Sequence, residues 1–568
     1  MMGYTTILPA ILLVLYIHWP KKLLLTTSQI LTLTFVVIYN MSSFGECGLY
    51  REWKSKLNMQ ALYHFVNPSE VFKSASLDLS ILFFGLLIFF SFLYFRVYHR
   101  YIKPKTITFE RKSILKNTLG ILILLPLISC IWILIIRGGV KDIPIQSGDS
   151  FFCTNSIAND ASVNPLWNLS FEFFSWMDHR NVNIFKTMDD SQAEAIVKDL
   201  YVTESDSTEL FLTTRRPNVV FIILESWTAN AVKAYGGDNF TPFYDSLCRK
   251  GIRFTNFYPA GYVSDQGIVG LLSGYPCTPR MAIINQSSKS AKIPCINEDL
   301  KPYGYQSGFV FGGDLNYGNI RSYLYNKSWD VVLEEKNFPP GLDQGALGIH
   351  DRDISKEFLK AINKSKTPFV YSWFTVSTHR PYDYKGTKKN LVPLQNDFIN
   401  SLSYSDSVLR EFFTMARQCS WYDSTLFILC PDHSHDSHKG YGPESPEFHK
   451  IPMFFFGNVI KPEYRGENIE KIFSQIDIVP TLLYQMDLGE RAKKYVWGRN
   501  MFNPTTKPYS YFCSHDFEGM IHPRGVVSFQ PEYLNFGFDT TSNTIVRDSL
   551  IKVVQAYQQM VYKDFMEK

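Results

Sequence analysis

The feature that most constrains this chain is that all of its long apolar runs lie in the first quarter of its 568 residues. Four runs occupy residues 5–19, 30–41, 77–95 and 119–136. About 20 consecutive apolar residues cross a bilayer, a length that the last two runs approach and the first two approach less closely. No run of comparable length follows residue 136. The sequence therefore predicts about four membrane-spanning helices within residues 1–137.

Basic residues indicate which loops face the cytoplasm. Lys21 and Lys22 lie between the first two runs, and seven basic residues lie between the third and fourth, namely Arg96, Arg100, Lys103, Lys105, Arg111, Lys112 and Lys116. Because Lys and Arg are enriched in cytoplasmic loops, both loops are predicted to be cytoplasmic. The large C-terminal part, and with four spans the N-terminus, then lie outside. An external N-terminus is unusual, so we expect that a first helix is missing, with a genuine four-span protein as the alternative.

Composition and cysteine spacing narrow the class of protein further. A charged fraction of 19% with 15% aromatic residues is typical of a membrane-anchored protein. The net charge of +4 comes largely from the predicted cytoplasmic loops, so it indicates no nucleic-acid partner. The nine cysteines form no CxxC motif. Cys277 and Cys295 flank a loop-like segment of the external part, and we expect a disulfide between them.

The external part divides into an arm and a catalytic domain. Residues 138–216 are mixed and polar, and we interpret them as a juxtamembrane arm and linker. From residue 217, helical stretches alternate with five short apolar runs, NVVFIILES, YQSGFVFGG, TPFVYSWFTVST, STLFILCPDHS and IPMFFFG. This alternation is typical of a mainly parallel sheet with helices on both faces. Residues 217–568 are therefore predicted to form an α/β/α sandwich with its chemistry at the carboxyl ends of the strands.

Several polar side chains follow these apolar runs directly, where that rule expects a site. They are Glu225, Asp314, His379, Asp432 and His433. Two carboxylates and an imidazole, from Glu225, Asp432 and His433, suit Mn²⁺, Zn²⁺ or Mg²⁺ and do not select strongly among them. Each residue alone also has a structural interpretation, because strand-end Glu and His residues often pair or pack locally. Their shared placement favours one metal site.

A hydroxyl beside such an ion is a candidate nucleophile. Ser264 lies in the glycine-punctuated segment 261–267, which leads into the predicted helix GIVGLLSG. A divalent ion lowers the pKa of a hydroxyl that it binds, and the amides of a helix N-terminus bind anions. Serine in such a segment is otherwise most often a turn residue. With the three ligands, Ser264 is predicted to be the nucleophile.

These motifs together resemble a known family. NVVFIILESW, TPFYDSLCRKGIRFTNFYPAGYVSDQGIVGLLSGYP, GGDLNYGNIRSYL, STHRPY, PDHSH, FHKIPMFFFG and SQIDIVPTLL cover most of residues 216–502. They look like the lipoteichoic acid synthase-like, phosphoglycerol transferase branch of the alkaline phosphatase and sulfatase superfamily. The resemblance implies an alkaline phosphatase-like fold after the membrane helices, in the cytoplasmic membrane of a bacterium. Members typically have five spans, which agrees with a missing first helix.

The resemblance also assigns roles to residues. Glu225, Ser264, Asp432 and His433 match the single-metal site of the family, with one divalent ion that we expect to be Mn²⁺, and with Zn²⁺ or Mg²⁺ as alternatives. Ser264 stands where the lipoteichoic acid synthases have threonine, a mild change because either hydroxyl can attack phosphorus. His379 matches a substrate-contacting histidine. The further substrate-binding candidates are Arg380, His435, His449 and Asp314.

The implied function is a two-step transfer from a phospholipid to a glycan or glycolipid acceptor. Phosphatidylglycerol is the expected donor, phosphatidylethanolamine is the alternative donor, and no protein partner is indicated. A phosphodiester or sulfate ester hydrolase would use the same residues, and a non-catalytic sensor would be expected to have lost a ligand. A formylglycine sulfatase is disfavoured, because it requires C/S-x-P-x-R. CTPR at residues 277–280 is one residue short, and SDQGI at 264 lacks Pro and Arg.

Overall fold

The protein is described by a computed structural model. It describes residues 21–53, 77–102, 161–170 and 185–568, with gaps at 206, 280–281, 286, 316, 385–396, 436–437 and 532–534, and isolated positions elsewhere before residue 185. The chain divides into two compact units, one formed by residues 1–66 and 76–180 and the other by residues 67–75 and 181–568. The predicted spans at 5–19 and 119–136 lie outside the described residues, apart from isolated positions.

The first unit contains two long helices that coincide with the second and third apolar runs. They are α1 (Lys21–Trp53) and α2 (Leu77–Val97), and a π-helical turn at Tyr98–Ile102 continues the second. Stretches of 22 residues in each, Gln29–Tyr50 and Ser80–Tyr101, are long and apolar enough to cross a membrane. Asn40 Nδ2 donates to Ser91 Oγ at 3.0 Å, so a buried polar pair joins the two helices. Two of the predicted spans are thus matched by helices of suitable length.

The second unit holds most of the remaining described elements. Its helices are α3 (Asp190–Tyr201), α4 (Pro242–Cys248), α5 (Ser264–Ser273), α6 (Ser287–Ser290), α7 (Ile296–Leu300), α8 (Ile320–Asn326), α9 (Asp351–Asn363), α10 (Asp397–Ala416), α11 (Pro446–His449), α12 (Ile478–Gln485), α13 (Gly489–Ala492) and α14 (Thr544–Glu567). Its strands are β1 (Asn218–Leu224), β2 (Ile252–Tyr258), β3 (Gln306–Phe311), β4 (Val331–Leu333), β5 (Gln344–Gly345), β6 (Gly348–Ile349), β7 (Phe369–Phe374), β8 (Thr425–Pro431), β9 (Met453–Phe456), β10 (Asn468–Ser474), β11 (Ser510–Cys513), β12 (Glu518–His522), β13 (Gly525–Gln530) and β14 (Asn535–Asp539).

An eight-stranded sheet forms the centre of this unit. Its strand order is β10-β2-β9-β8-β1-β7-β3-β4. Strand β9 runs antiparallel to both of its neighbours, and the other pairings are parallel. The prediction of a mainly parallel sheet is confirmed. The apolar runs at β1, β3, β7, β8 and β9 are all strands, whereas β2, β4 and β10 have weaker apolar patterns and were not predicted.

Helices cover both faces of this sheet. Every residue of β1 is buried, and its side chains alternate between two separate cores, with Val219, Phe221 and Ile223 in one and Val220, Ile222 and Leu224 in the other. The first core includes residues of α5, α12 and α14, and the second includes residues of α4, α9 and α10. A strand buried on both faces has no polar alternation, which is why these runs are continuously apolar. The predicted α/β/α sandwich is confirmed.

A smaller antiparallel sheet, in the order β11-β12-β13-β14, follows the central sheet in the chain. Helix α14 packs with it through Tyr557, whose ring centroid lies 4.9 Å from that of Tyr511 on β11. Buried residues of α14 recur at three- and four-residue intervals, for example Leu550, Val554, Tyr557, Val561 and Phe565, as expected of an amphipathic helix. The four strands themselves were not predicted.

Candidate metal and nucleophile site

The three predicted metal ligands meet at one edge of the central sheet. Glu225 directly follows β1, and Asp432 and His433 directly follow β8. Because β1 and β8 pair in parallel, with Leu224 opposite Pro431, their carboxyl ends lie side by side. One potential ligand atom from each residue lies within 4.8 Å of the others. The sheet register therefore brings together residues that are about 200 positions apart in the sequence.

The protein leaves part of this cluster's charge unneutralised. Asp432 is fully buried, and its Oδ1 accepts hydrogen bonds from Ser226 N and His433 N, each at 2.8 Å. Its Oδ2 is buried and accepts no hydrogen bond from the residues that the structure describes. Burial, and next the charge of Asp432, raise the pKa of the Glu225 carboxyl well above its usual range. A bound cation would compensate the buried Asp432 oxygen and offset the repulsion between the two carboxylates, so the residues fit a divalent metal ion.

The imidazole of His433 has the orientation expected of a metal ligand. Its Nδ1 donates to Ser434 O at 2.7 Å, which directs the lone pair of Nε2 toward the Ser226 and Ser264 hydroxyls, at 3.5 and 3.4 Å. Nε2 lies 3.5 Å from Asp432 Oδ2 and 3.8 Å from Glu225 Oε1. The donor set is two carboxylates and one imidazole, which several divalent metals accept.

Ser264 lies at the same point, as the first residue of α5. Its Oγ is 3.3 Å from Glu225 Oε2 and 3.4 Å from His433 Nε2, and the side chain is buried. Gly267 allows α5 to come this close, because a Cβ there would lie 1.9 Å from Asp432 O. The Ser264 hydroxyl therefore lies beside the three candidate metal ligands, at the N-terminus of α5.

Two residues of this site were missed by sequence reasoning. Ser226 Oγ donates to Glu225 Oε1 at 2.6 Å, and its backbone has φ +56°, which is uncommon for a residue other than glycine. Gln475 accepts from Ala260 N at 2.7 Å and donates to the carbonyls of Pro431 and Asp432, so it joins the end of β8 to the segment before α5. A polar residue beside Glu225 could have been noticed, but the distant Gln475 gives no local signal.

His379 follows β7, which pairs with β1 on the side opposite to β8. Its Nδ1 donates to Arg380 O at 2.7 Å, and the Tyr317 ring centroid lies 6.0 Å from its own. Burial is the main cause that lowers the pKa of His379. The ring is therefore neutral near pH 7, with an accepting Nε2.

Arg380 and His435 each contact aromatic side chains, Tyr382 and Phe398, beside the site. The Tyr382 hydroxyl is 2.8 Å from His435 Nε2, and the His435 ring stacks on Phe398 with centroids 3.8 Å apart. The Arg380 guanidinium lies 5.8 Å from the Tyr382 ring centroid. These contacts fix the His435 ring against an aromatic wall.

Asp314 and His449 have other partners. Asp314 Oδ1 accepts from Arg321 Nη2 at 2.7 Å, and both side chains line a pocket of about 400 Å³ with Glu334. His449 is buried, donates to Pro443 O at 2.9 Å, and has its ring 4.6 Å from that of Phe512. The contacts of His449 are those of a packing residue.

The cysteines do not pair as predicted. Cys295 Sγ lies 3.5 Å from the Tyr323 hydroxyl, whereas Cys277 Sγ lies 2.8 Å from Cys513 Sγ. The predicted Cys277–Cys295 disulfide is therefore wrong, because the chain after α5 turns Cys277 toward β11. Cys277 is buried there, away from the start of α5 where Ser264 lies. This placement does not suit a formylglycine precursor.

Known proteins resemble this chain in sequence and fold. The family model described as Sulfatase matches residues 217–488. Lipoteichoic acid synthase 2 of Bacillus subtilis (strain 168) is 21% identical over 394 residues, covering 64% of this chain and 59% of the relative. Phosphoglycerol transferase I of Salmonella paratyphi B is 23% identical over 240 residues, covering 38% of this chain and 30% of the relative. The chain thus spans between about a third and three fifths of the length of these relatives.

A solved structure extends the comparison to the fold. A protein of the alkaline phosphatase superfamily from Vibrio parahaemolyticus superposes with a TM-score of 0.57 at 24% identity, covering 68% of this chain and 98% of that one. Residues 217–488 thus match the Sulfatase family model, and the chain is similar in sequence to a lipoteichoic acid synthase and a phosphoglycerol transferase and similar in fold to a protein of the alkaline phosphatase superfamily.

Proposed function

We propose that this protein is a membrane-anchored, metal-dependent transferase that moves a phosphoglycerol unit, or a similar phospho-alcohol, from a phospholipid to a glycan or glycolipid. The observation that carries the proposal is the position of Ser264 Oγ, within 3.4 Å of both Glu225 and His433 at the start of α5. A buried hydroxyl beside three metal-ligand side chains is the arrangement that covalent phosphoryl transfer needs. The named relatives support the choice of transferred group.

Glu225, Asp432 and His433 would hold the ion, with Ser264 beside them. When bound, a divalent ion supplies positive charge that lowers the pKa of the Ser264 hydroxyl and offsets the charge that develops on phosphorus oxygens. Mn²⁺ is the ion we propose, with Zn²⁺ and Mg²⁺ as alternatives. Ser226 and Gln475 keep the ligand-bearing strand ends in place through the hydrogen bonds described above.

In the first step, Ser264 Oγ forms a bond to the phosphorus of the phospholipid, and the bond from phosphorus to the diacylglycerol oxygen breaks. Diacylglycerol leaves as an alcohol with the proton that Ser264 loses. The N-terminal end of α5, which begins at Ser264, would face the negative charge of the phosphoryl group. His379, neutral in the resting site, would take up a proton from solvent as the anionic phosphoryl group binds, donate from Nε2, and return that proton when the product leaves.

In the second step, an acceptor hydroxyl attacks the same phosphorus and the bond to Ser264 breaks, which restores the enzyme. His435 and Arg380, on the aromatic wall with Phe398, are proposed substrate contacts. We also propose that Asp314 contacts the substrate. Its ion pair with Arg321 would hold the carboxylate in place. For His449 we keep only a packing role, because both its ring and its Nε2 have structural partners.

Anchoring in a bilayer would place the phospholipid donor near the site at high effective concentration. Two helices of the described part, within Lys21–Trp53 and Leu77–Val97, are long and apolar enough for this role. The basic loop that follows the second of them favours a cytoplasmic position for that loop and an extracytoplasmic position for the catalytic domain. We place the protein in the cytoplasmic membrane of a bacterium.

The test is diacylglycerol release from labelled phosphatidylglycerol by the purified full-length protein with Mn²⁺. The wild type should release diacylglycerol and Ser264→Ala should not. Ser273→Ala is the matched control, because Ser273 lies at the other end of α5 and bonds the Tyr323 hydroxyl at 2.6 Å. Equal release by wild type and Ser264→Ala would exclude Ser264 as the nucleophile.

A hydrolase of the same superfamily is the second candidate, favoured by the match to the Sulfatase model. It would use the same residues with water as the acceptor. Product analysis separates the two, because a hydrolase releases free glycerol phosphate whereas a transferase attaches it to an added glycolipid. Release only from phosphatidylethanolamine would instead assign a phosphoethanolamine transferase.

A further inference from the structure

Two cysteines that are far apart in the sequence face each other inside the catalytic unit. Cys277 lies shortly after α5, and Cys513 is the last residue of β11. Their Sγ atoms are 2.8 Å apart although 236 positions separate them in the chain. Both side chains are buried, at 5% and 1% exposure. A disulfide has a sulfur separation of about 2.05 Å, so a movement of less than about 1 Å would close the bond.

The other buried cysteines have different surroundings. Cys295 is held beside the Tyr323 hydroxyl, and Cys248 lies in the core on the opposite face of the central sheet. Cys430 belongs to β8 and faces the same core as Cys277 and Cys513, yet no sulfur contact places it with them in the described residues. A buried thiol is common, but a pair in direct contact is not explained by packing alone, because S–H is only a weak donor.

We propose that Cys277 and Cys513 form a structural disulfide that ties the segment after the nucleophile helix to the C-terminal sheet. The inference rests on the extracytoplasmic placement of the catalytic domain in the proposed function, because disulfides persist outside the cytoplasm. In the reaction, the two thiols lose two protons and two electrons, and the disulfide of an oxidising thiol–disulfide exchange protein is reduced to two thiols. The sulfur–sulfur bond replaces the two S–H bonds.

The bond would form during folding. Burial raises the pKa of the Cys513 thiol well above its usual range, so the completed site holds little thiolate, which is the reactive form. Cross-linking is therefore expected while the segment after α5 and β11 are still accessible. Once formed, the bond lowers the conformational entropy of the unfolded chain. The effect is larger because the two cysteines are far apart in the sequence.

The structural consequence concerns the C-terminal part of the unit. Strand β11 begins the four-stranded sheet, and α14 packs on that sheet through Tyr557 and Tyr511. A bond at Cys513 holds the first strand of that sheet to the segment that follows Gly274, where α5 ends in a left-handed turn with φ +56°. The C-terminal sheet would then be fixed to the end of the helix that begins with Ser264.

The test purifies the full-length protein without reductant, alkylates one portion in denaturant so that buried thiols also react, and maps its peptides by mass spectrometry. The Cys277 and Cys513 peptides should appear as one linked pair, two hydrogens lighter than their sum, while Cys248, Cys295 and Cys430 carry the alkyl group. Finding Cys277 and Cys513 alkylated to the same extent as Cys295 would overturn the proposal.

A second measurement uses the melting temperature. Reduction of the wild type should lower Tm on the order of 5 °C. The double variant C277A/C513A should melt at a similarly lowered temperature, and reductant should not lower it further. Cys295→Ala is the matched control and should still respond to reductant. A wild-type Tm that reductant does not change would contradict the cross-link.

A native portion of the same preparation separates this inference from the proposed function. Diacylglycerol release from phosphatidylglycerol by the native portion, with Cys277 and Cys513 fully alkylated in the denatured portion, would sustain the transferase proposal and overturn the cross-link. A linked peptide pair in a protein that releases no diacylglycerol would support the Cys277–Cys513 disulfide and contradict phosphatidylglycerol as the donor.

Discussion

Two buried aspartates follow strands of the central sheet, and the protein treats their charges in opposite ways. Asp477, after β10, accepts from Ser474 N, Arg499 N and the Arg499 guanidinium, so both carboxylate oxygens are paired. Asp432, after β8, has one oxygen paired and the other buried without a hydrogen bond from the described residues. A buried charge is costly unless it is compensated. The difference distinguishes a carboxylate that stabilises the fold from one that is kept for an external cation.

The largest expected effect is on activity at the unpaired aspartate. Asp432→Asn keeps an oxygen that accepts from Ser226 N and His433 N, and it removes the charge next to Glu225. Diacylglycerol release should fall by about 10³-fold or more, because the ion loses a charged ligand. The Tm of the metal-free protein should stay the same or rise, because two buried carboxylates no longer repel each other. A large fall in the metal-free Tm would place Asp432 with Asp477 as a structural charge.

The second effect is on stability at the paired aspartate. Arg499→Met leaves the buried Asp477 without its cation and should lower the free energy of unfolding by about 3–5 kcal/mol. Thermal unfolding of the full-length protein measures the loss. The matched control is Arg215→Ala, because Arg215 and Asp487 form an exposed pair that should contribute little. Equal melting temperatures for the two variants would show that the buried pair is not stabilising.

The buried imidazole of His449 is neutral, so the fold does not bear the cost of burying its charge. Burial lowers the pKa of His449 to about 4 in the folded protein, whereas an unfolded histidine titrates near 6.5. Between these values the unfolded state binds more protons, so stability should fall as the pH is lowered from about 6.5 to 4, by about 3 kcal/mol. The His449→Gln variant should lose this part of the pH dependence. Parallel stability curves for the two proteins would contradict a neutral buried His449.

The smallest effect sharpens the metal assignment. Mn²⁺ at about 100 times its dissociation constant should stabilise the wild type by about 2.7 kcal/mol relative to protein treated with a chelator. Asp432→Asn should show much less of this stabilisation, whereas Arg499→Met should keep it, because Asp477 and Arg499 already compensate each other. The measurement is the Tm difference with and without metal for each variant. A Tm of the wild type that is indifferent to Mn²⁺, Zn²⁺ and Mg²⁺ would exclude a metal at this site.

The strand-end residues were predictable because two rules act together. A strand buried on both faces is continuously apolar, so β1, β7 and β8 are visible in the sequence, and parallel strands bring their carboxyl ends to one edge. Strand β2 was not visible, because its burial pattern is interrupted by half-buried positions such as Arg253 and Thr255. The four strands of the C-terminal sheet are short and mixed in character, and tertiary packing defines them.

The sequence by itself determined the residue types of the site, the location of the apolar helices and the mainly parallel sheet, because these depend on local hydrophobic patterns. The tertiary structure decided which distant groups meet. It paired Asp477 with Arg499, set Gln475 against the end of β8, and turned Cys277 toward Cys513 instead of Cys295. The physical reason is that apolar periodicity is a property of neighbouring residues, whereas such contacts depend on the order of strands in the sheet and the direction in which each connection leaves it.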